Sequence, residues 1–113
     1  MYKRQGYIDN KTENTIVIGA HYDHLGMGGE GSLYRKGDTV HNGADDNASG
    51  VSILLRLAHK LKDSLHGNNY LFIAFSGEEM GLLGSNYFTK NPSIDLAKTN
   101  YICLLYTSPS PRD

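Results

Sequence analysis

Tyr70-Leu71-Phe72-Ile73-Ala74-Phe75 is the stretch that decides the fold. Six successive apolar side chains on a strand point alternately to two faces, so both faces need cover. Such a strand belongs inside a sheet with helices packed above and below it. A β-branched run, Thr15-Ile16-Val17-Ile18-Gly19-Ala20, reads as a second buried strand. Between the two lies a helical pattern over residues 48–65, with apolar side chains at Val51, Leu54, Leu55, Ala58, Leu61 and Leu65. This is the i, i+3, i+4, i+7 spacing of an amphipathic helix. Arg56, Lys60 and Lys62 lie off the stripe, and His59 and His66 read as surface side chains. Strand, helix, strand makes a βαβ unit, with parallel strands and a right-handed crossover.

Outward from that unit, Gly6-Tyr7-Ile8 reads as the end of a strand. The turn-rich residues 9–14 then predict an antiparallel hairpin between residues 6–8 and 15–20. On the other side, residues 80–88 read as a short helix despite two glycines, and Asn91-Pro92-Ser93 breaks it. Residues 94–98 suit one helical turn, and Thr99-Asn100-Tyr101-Ile102 opens a third strand. The expected fold class is α/β: a three-layer α/β/α sandwich on a mixed, mostly parallel sheet, with only the N-terminal part present.

At 113 residues the chain is one small domain or a piece of one. It is 39% hydrophobic with a formal charge of −1, a globular balance. Its 11 Lys and Arg are scattered, so nucleic acid is not an expected partner. No apolar run approaches the length of a membrane span.

Both ends read as foreign. MYKRQ at the start and CLLYTSPSPRD from Cys103 can be encoded by DNA whose two strings are reverse complements, as adapter read-through would leave. The expected division is therefore a non-native leader at 1–5, a partial catalytic domain at 6–102 and a non-native tail at 103–113. The only cysteine, Cys103, falls in that tail, so disulfide reasoning says nothing.

The chemistry sits beside the strand ends. His21-Tyr22-Asp23-His24 leaves the first strand, and Ser76-Gly77-Glu78-Glu79 leaves the second at the same sheet edge. Open α/β sheets build their sites at that edge. Between them His41-Asn42-Gly43-Ala44-Asp45-Asp46-Asn47-Ala48-Ser49-Gly50 packs two carboxylates into a turn before the helix. Alone, Asp46 at or next to the N-cap would be a capping residue. With an imidazole and two more carboxylates at the same edge, a metal site is the better reading, and mixed nitrogen and oxygen ligands suit zinc. The Gly-rich residues 25–42 form a loop long enough to be functional, joining two candidate ligand clusters.

Ile18-Gly19-Ala20-His21-Tyr22-Asp23-His24, Gly43-Ala44-Asp45-Asp46-Asn47-Ala48-Ser49-Gly50 and Phe75-Ser76-Gly77-Glu78-Glu79-Met80-Gly81-Leu82-Leu83-Gly84-Ser85 together resemble the co-catalytic zinc aminopeptidases. These are the bacterial leucyl aminopeptidase relatives, a family that includes glutamate carboxypeptidase II and glutaminyl cyclase. The resemblance covers nearly all of residues 6–102. It implies His21 as a ligand of one zinc, Asp46 as the ligand bridging two, and Glu79 as a ligand of the other. It implies Glu78 as general base and Asp23 as the carboxylate that orients His21, with Asp45 structural. His24 and His41 match no ligand and are left as lining or support. It also implies a cis peptide at Asp46-Asn47. Two further ligands of the family, an Asp just past Ile102 and a distant His, have no counterpart in residues 6–102.

The implied activity is release of N-terminal amino acids from peptide substrates, in a secreted or periplasmic bacterial protein. The chain alone is expected to be inactive. The competing expectations are a non-catalytic binding relative and a mono-zinc acyltransferase of the glutaminyl cyclase kind. Retention of His21, Asp46, Glu78 and Glu79 favours the peptidase.

Overall fold

The computed structural model describes residues 3–29, 32, 40–64 and 66–106. Four strands form one mixed sheet: β1 (Lys3–Ile8), β2 (Thr15–His21), β3 (Asn69–Phe75) and β4 (Thr99–Leu104). Their order is β1-β3-β2-β4. β2 runs parallel to both β3 and β4, and β1 lies antiparallel along β3. Helix α1 (Gly50–Leu61) joins β2 to β3, and α2 (Leu83–Lys90) follows β3.

Alternation along the central strands makes two cores. Ile18, Ala20, Tyr70 and Phe72 meet Leu54 and Leu61 of α1 on one face. Val17, Leu71, Ile73 and Phe75 meet Phe88 of α2 on the other. The sheet is thus sandwiched between helices, the three-layer arrangement that apolar strands require. Ile73 and Val17 are fully buried. Burying a side chain of this size contributes about 1.5–3 kcal/mol.

Four expectations are corrected. The hairpin between residues 6–8 and 15–20 does not form. β1 leaves the sheet beside Tyr70, crosses the start of β3 and enters β2 on its far side. The buried Asn69 secures this crossing: its Oδ1 accepts from the amides of Asn10 (2.9 Å) and Thr12 (3.3 Å), and its Nδ2 donates to the Thr12 carbonyl (2.8 Å). Two strand spacings, about 9.6 Å, are within reach of the linking residues.

Second, α1 starts at Gly50, after a wide turn over Ala44–Ser49 in which Asp46 and Asn47 are non-helical. Asp46 is not its cap. Asn47 is the residue whose Oδ1 accepts from the Gly50 amide, at 3.0 Å. Third, α1 turns so that Leu57 packs toward the core while Leu55 is 65% exposed; Leu65 lies outside the described residues. Fourth, the helix expected at 80–88 begins at Leu83, because Gly81 (φ 94°) and Leu82 (φ 60°) take left-handed backbone that a right-handed helix cannot contain. It continues to Lys90, with Pro92 just beyond.

The helical turn expected at 94–98 is a 3-10 turn at Leu96–Lys98, capped by Asp95, whose Oδ1 accepts from the Ala97 amide. β1 starts at Lys3 and β4 continues through Cys103 to Leu104, so both strands cross the boundaries read from the sequence at 5 and 102.

Candidate metal centre

β2 delivers His21 at its carboxyl end, where the ring is 95% buried beneath the loops that follow the strands. One nitrogen, Nε2, lies 2.9 Å from Asp46 Oδ1. The other, Nδ1, meets the Asp23 backbone carbonyl at 3.1 Å. Both ring nitrogens thus face oxygens that only accept, a backbone carbonyl on one side and a carboxylate on the other. A metal-ligating histidine characteristically rests its second nitrogen on such a backbone oxygen, as Nδ1 does here. The resemblance expected the Asp23 carboxylate to orient His21. It stands 3.8 Å from Nδ1, beyond hydrogen-bond range. Its two oxygens instead accept from consecutive amides, Glu78 N at 3.1 Å and Glu79 N at 3.2 Å. Asp23 therefore clamps the Glu78-Glu79 turn to the strand that carries His21.

That turn is made by Gly77, whose φ of 73° strongly favours a residue without Cβ. The amides of Gly81 and Leu82 both donate to the Glu78 carbonyl, at 3.1 and 3.0 Å. The two glutamates diverge as adjacent turn residues do. Glu79 reaches His24, with Oε1 at 2.9 Å from Nδ1. Glu78 lines a narrow cavity of about 30 Å³ together with His21, Phe75, Leu82, Leu105 and Tyr106. One water needs roughly 10–15 Å³.

Asp46 is carried by the Ala44–Ser49 turn, and its peptide bond to Asn47 is cis, as the resemblance implied. Asn47 anchors the turn: besides receiving the Gly50 amide, it donates from Nδ2 to the Leu105 carbonyl at 2.8 Å. The Leu105 amide in turn donates to Gly19 O at 2.8 Å. The end of β4 thus holds the turn that presents Asp46. Asp45 stays on the outside, where its backbone carbonyl accepts from the Ser49 hydroxyl at 2.7 Å.

His24, Asp46 and Glu79 each bring one ligand-capable atom to within 4.8 Å of the others, and His21 touches the same Asp46. Two imidazoles and two carboxylates in one cluster fit zinc by donor chemistry. Asp46 meets His21 on one side and is grouped with His24 and Glu79 on the other. Sequence reasoning gave no contact role to His24 or Asn47. The only signal for His24 was its place in His21-Tyr22-Asp23-His24, directly after the strand that ends in His21. Of the loop at residues 25–42, the described part closes through a bridge in which the His41 amide donates to Gly26 O at 2.7 Å; the rest lies outside the described residues.

The model of peptidase family M28 matches residues 5–106. The chain belongs to peptidase family M28. Among curated relatives in this family, aminopeptidase YwaD of Bacillus subtilis is 34% identical over 83 residues, 74% of this chain and 15% of the relative. The probable lipoprotein aminopeptidase LpqL of Mycobacterium tuberculosis is 33% identical over 102 residues, 87% of this chain and 18% of the relative. The chain thus spans less than a fifth of the length of these two M28 relatives. A Zn-dependent exopeptidase from Parabacteroides distasonis superposes with a TM-score of 0.76 at 25% identity, covering 93% of this chain and 40% of that one. Glutaminyl cyclase of Porphyromonas gingivalis superposes equally well, TM-score 0.76 at 24% identity, again covering 93% and 40%. The second likeness is one of fold.

Proposed function

We propose that the protein acts as a zinc-dependent aminopeptidase, hydrolysing the first peptide bond of a peptide substrate. The observation that carries this reading is Asp46 at one sheet edge, 2.9 Å from His21 and grouped with His24 and Glu79, with Glu78 lining the cavity beside His21. His21 and Asp46 would hold one zinc ion, and Asp46 and Glu79 a second. Zinc bound there supplies Lewis-acid polarisation of a water and of the scissile carbonyl. Glu78, which lines the cavity beside His21, would take the water's proton and pass it to the departing amine. A positioned general base of this kind contributes about 10²–10⁴ in rate. Asp23 supports both halves, through its carbonyl to His21 and its carboxylate to the Glu78 and Glu79 amides.

The name of the M28 relative LpqL supports an extracytoplasmic setting, and we place this protein outside the cytoplasm, secreted or periplasmic. No helix among the described residues is long and apolar enough to cross a membrane. A shared fold with a glutaminyl cyclase brings no activity with it. The complete set of His21, Asp46, Glu78 and Glu79 favours hydrolysis over a binding role. The test is hydrolysis of an amino-acid anilide by the protein at its relatives' full length. Turnover lost to a chelator and restored by zinc is expected. Zinc-loaded protein without turnover on any amino-acid anilide would contradict the proposal.

A further inference from the structure

Resting on the metal-centre reading above, we infer that His24 is a positioning residue: its Nδ1–H holds one oxygen of Glu79 and leaves the other for metal. Nδ1 lies 2.9 Å from Glu79 Oε1, and a carboxylate can only accept, so the ring donates. Both side chains are about four-fifths buried, 22% and 21% exposed, so water competes weakly for the bond. The ring's place is built into the backbone. A Cβ at Gly43 would stand 2.9 Å from both Cβ and Cγ of His24, so the glycine gives the imidazole its room. His41 packs edge-on against it, ring centres 6.1 Å apart, and the His41 amide is pinned to Gly26 O.

His24 differs from His21 in the partner of its Nδ1, a carboxylate rather than a backbone carbonyl. A ligating imidazole fixes its second nitrogen on a backbone or carboxylate oxygen. His21 does so, through the Asp23 carbonyl. His24 Nδ1 bonds a carboxylate that is itself read as a ligand, so the ring can hold Glu79 in place, and variants of His24 tell that role from ligation by the ring. Ligating carboxylates are themselves hydrogen-bonded, and removing such partners typically weakens metal binding about 10–100-fold.

Two variants separate the roles. His24→Phe keeps a ring of similar size against Gly43 and His41 and loses the donor. His24→Asn sets an amide nitrogen close to where Nδ1 stands and loses the rest of the ring. Zinc binding is read by equilibrium dialysis with radiolabelled zinc on the unsubstituted chain and both variants, with metal-free melting measured alongside. Expected are unchanged melting, a loss of about 10–100-fold in zinc affinity for His24→Phe, and near-complete rescue in His24→Asn. His24→Phe binding as tightly as the unsubstituted chain would overturn the inference and leave the metal centre standing. An equal loss in His24→Asn would overturn it too, by making the ring itself a ligand. No zinc uptake by the unsubstituted chain would remove the metal centre, and the inference with it.

Discussion

At the scale of single residues the site is a division of labour among groups of the same type. Of the two imidazoles, His21 stands between the Asp46 carboxylate and the Asp23 carbonyl, while His24 donates to Glu79. Of the two adjacent glutamates, one joins the cluster and the other lines the cavity beside His21. This separation makes a clean prediction. In active protein, Glu78→Gln should keep its zinc and lose about 100-fold or more in turnover, because it removes a proton carrier and no ligand. Metal analysis beside an anilide assay checks it, and near-normal activity would reassign the base. The identities of His21, Asp46, Glu78 and Glu79 were legible because a strand end followed by an acidic or imidazole residue is a short-range pattern. The use of each was less so. Asp23 stands two residues from His21, yet its carboxylate serves Glu78 and Glu79, 55 and 56 positions away. Spacing along the chain carries no information about such a choice.

Secondary-structure elements show the same boundary between local and distant causes. β2, β3 and α1 were readable from apolar periodicity, which reports burial directly. The start of α2 was not, because it depends on left-handed backbone at Gly81 and Leu82, and leucine gives no warning of that. The placing of β1 was not, because a short link with turn residues usually means a hairpin and here the side chain of Asn69 holds a crossing. Two substitutions test the packing between elements. Asn47→Ala removes the Oδ1 acceptor of the Gly50 amide and the donor to the part-buried Leu105 carbonyl, and should lower stability by about 1–3 kcal/mol in urea unfolding. Gly19→Ala places a Cβ 2.7 Å from the Phe75 ring and 3.1 Å from Leu104, and should cost about 1–3 kcal/mol through forced repacking of β2 against β3 and β4. Values within experimental error of zero would mean that the β4 end does not hold the Asp46 turn as described.

For the molecule as a whole, the sheet has helices on both faces at its centre and less cover at its edge. Tyr101, Ile102, Leu104 and Tyr106 are 63%, 51%, 41% and 55% exposed along and after β4. An apolar strand edge of this kind invites association, and the chain should self-associate as its concentration rises in light scattering. The metal centre is open in a related sense. In the ligand count proposed here each zinc takes two groups from this chain, His21 with Asp46 and Asp46 with Glu79. Catalytic zinc normally has three protein ligands and a water. The chain alone should therefore hold zinc weakly and show no aminopeptidase turnover above background. The most direct measurement is a calorimetric zinc titration of the 113-residue chain beside its Asp46→Asn variant, followed by a leucine anilide assay on the zinc-loaded samples. The account predicts weak binding that Asp46→Asn abolishes, with no turnover in either sample. Tight uptake of two zinc ions, chelator-sensitive turnover, or binding unchanged by Asp46→Asn would contradict it.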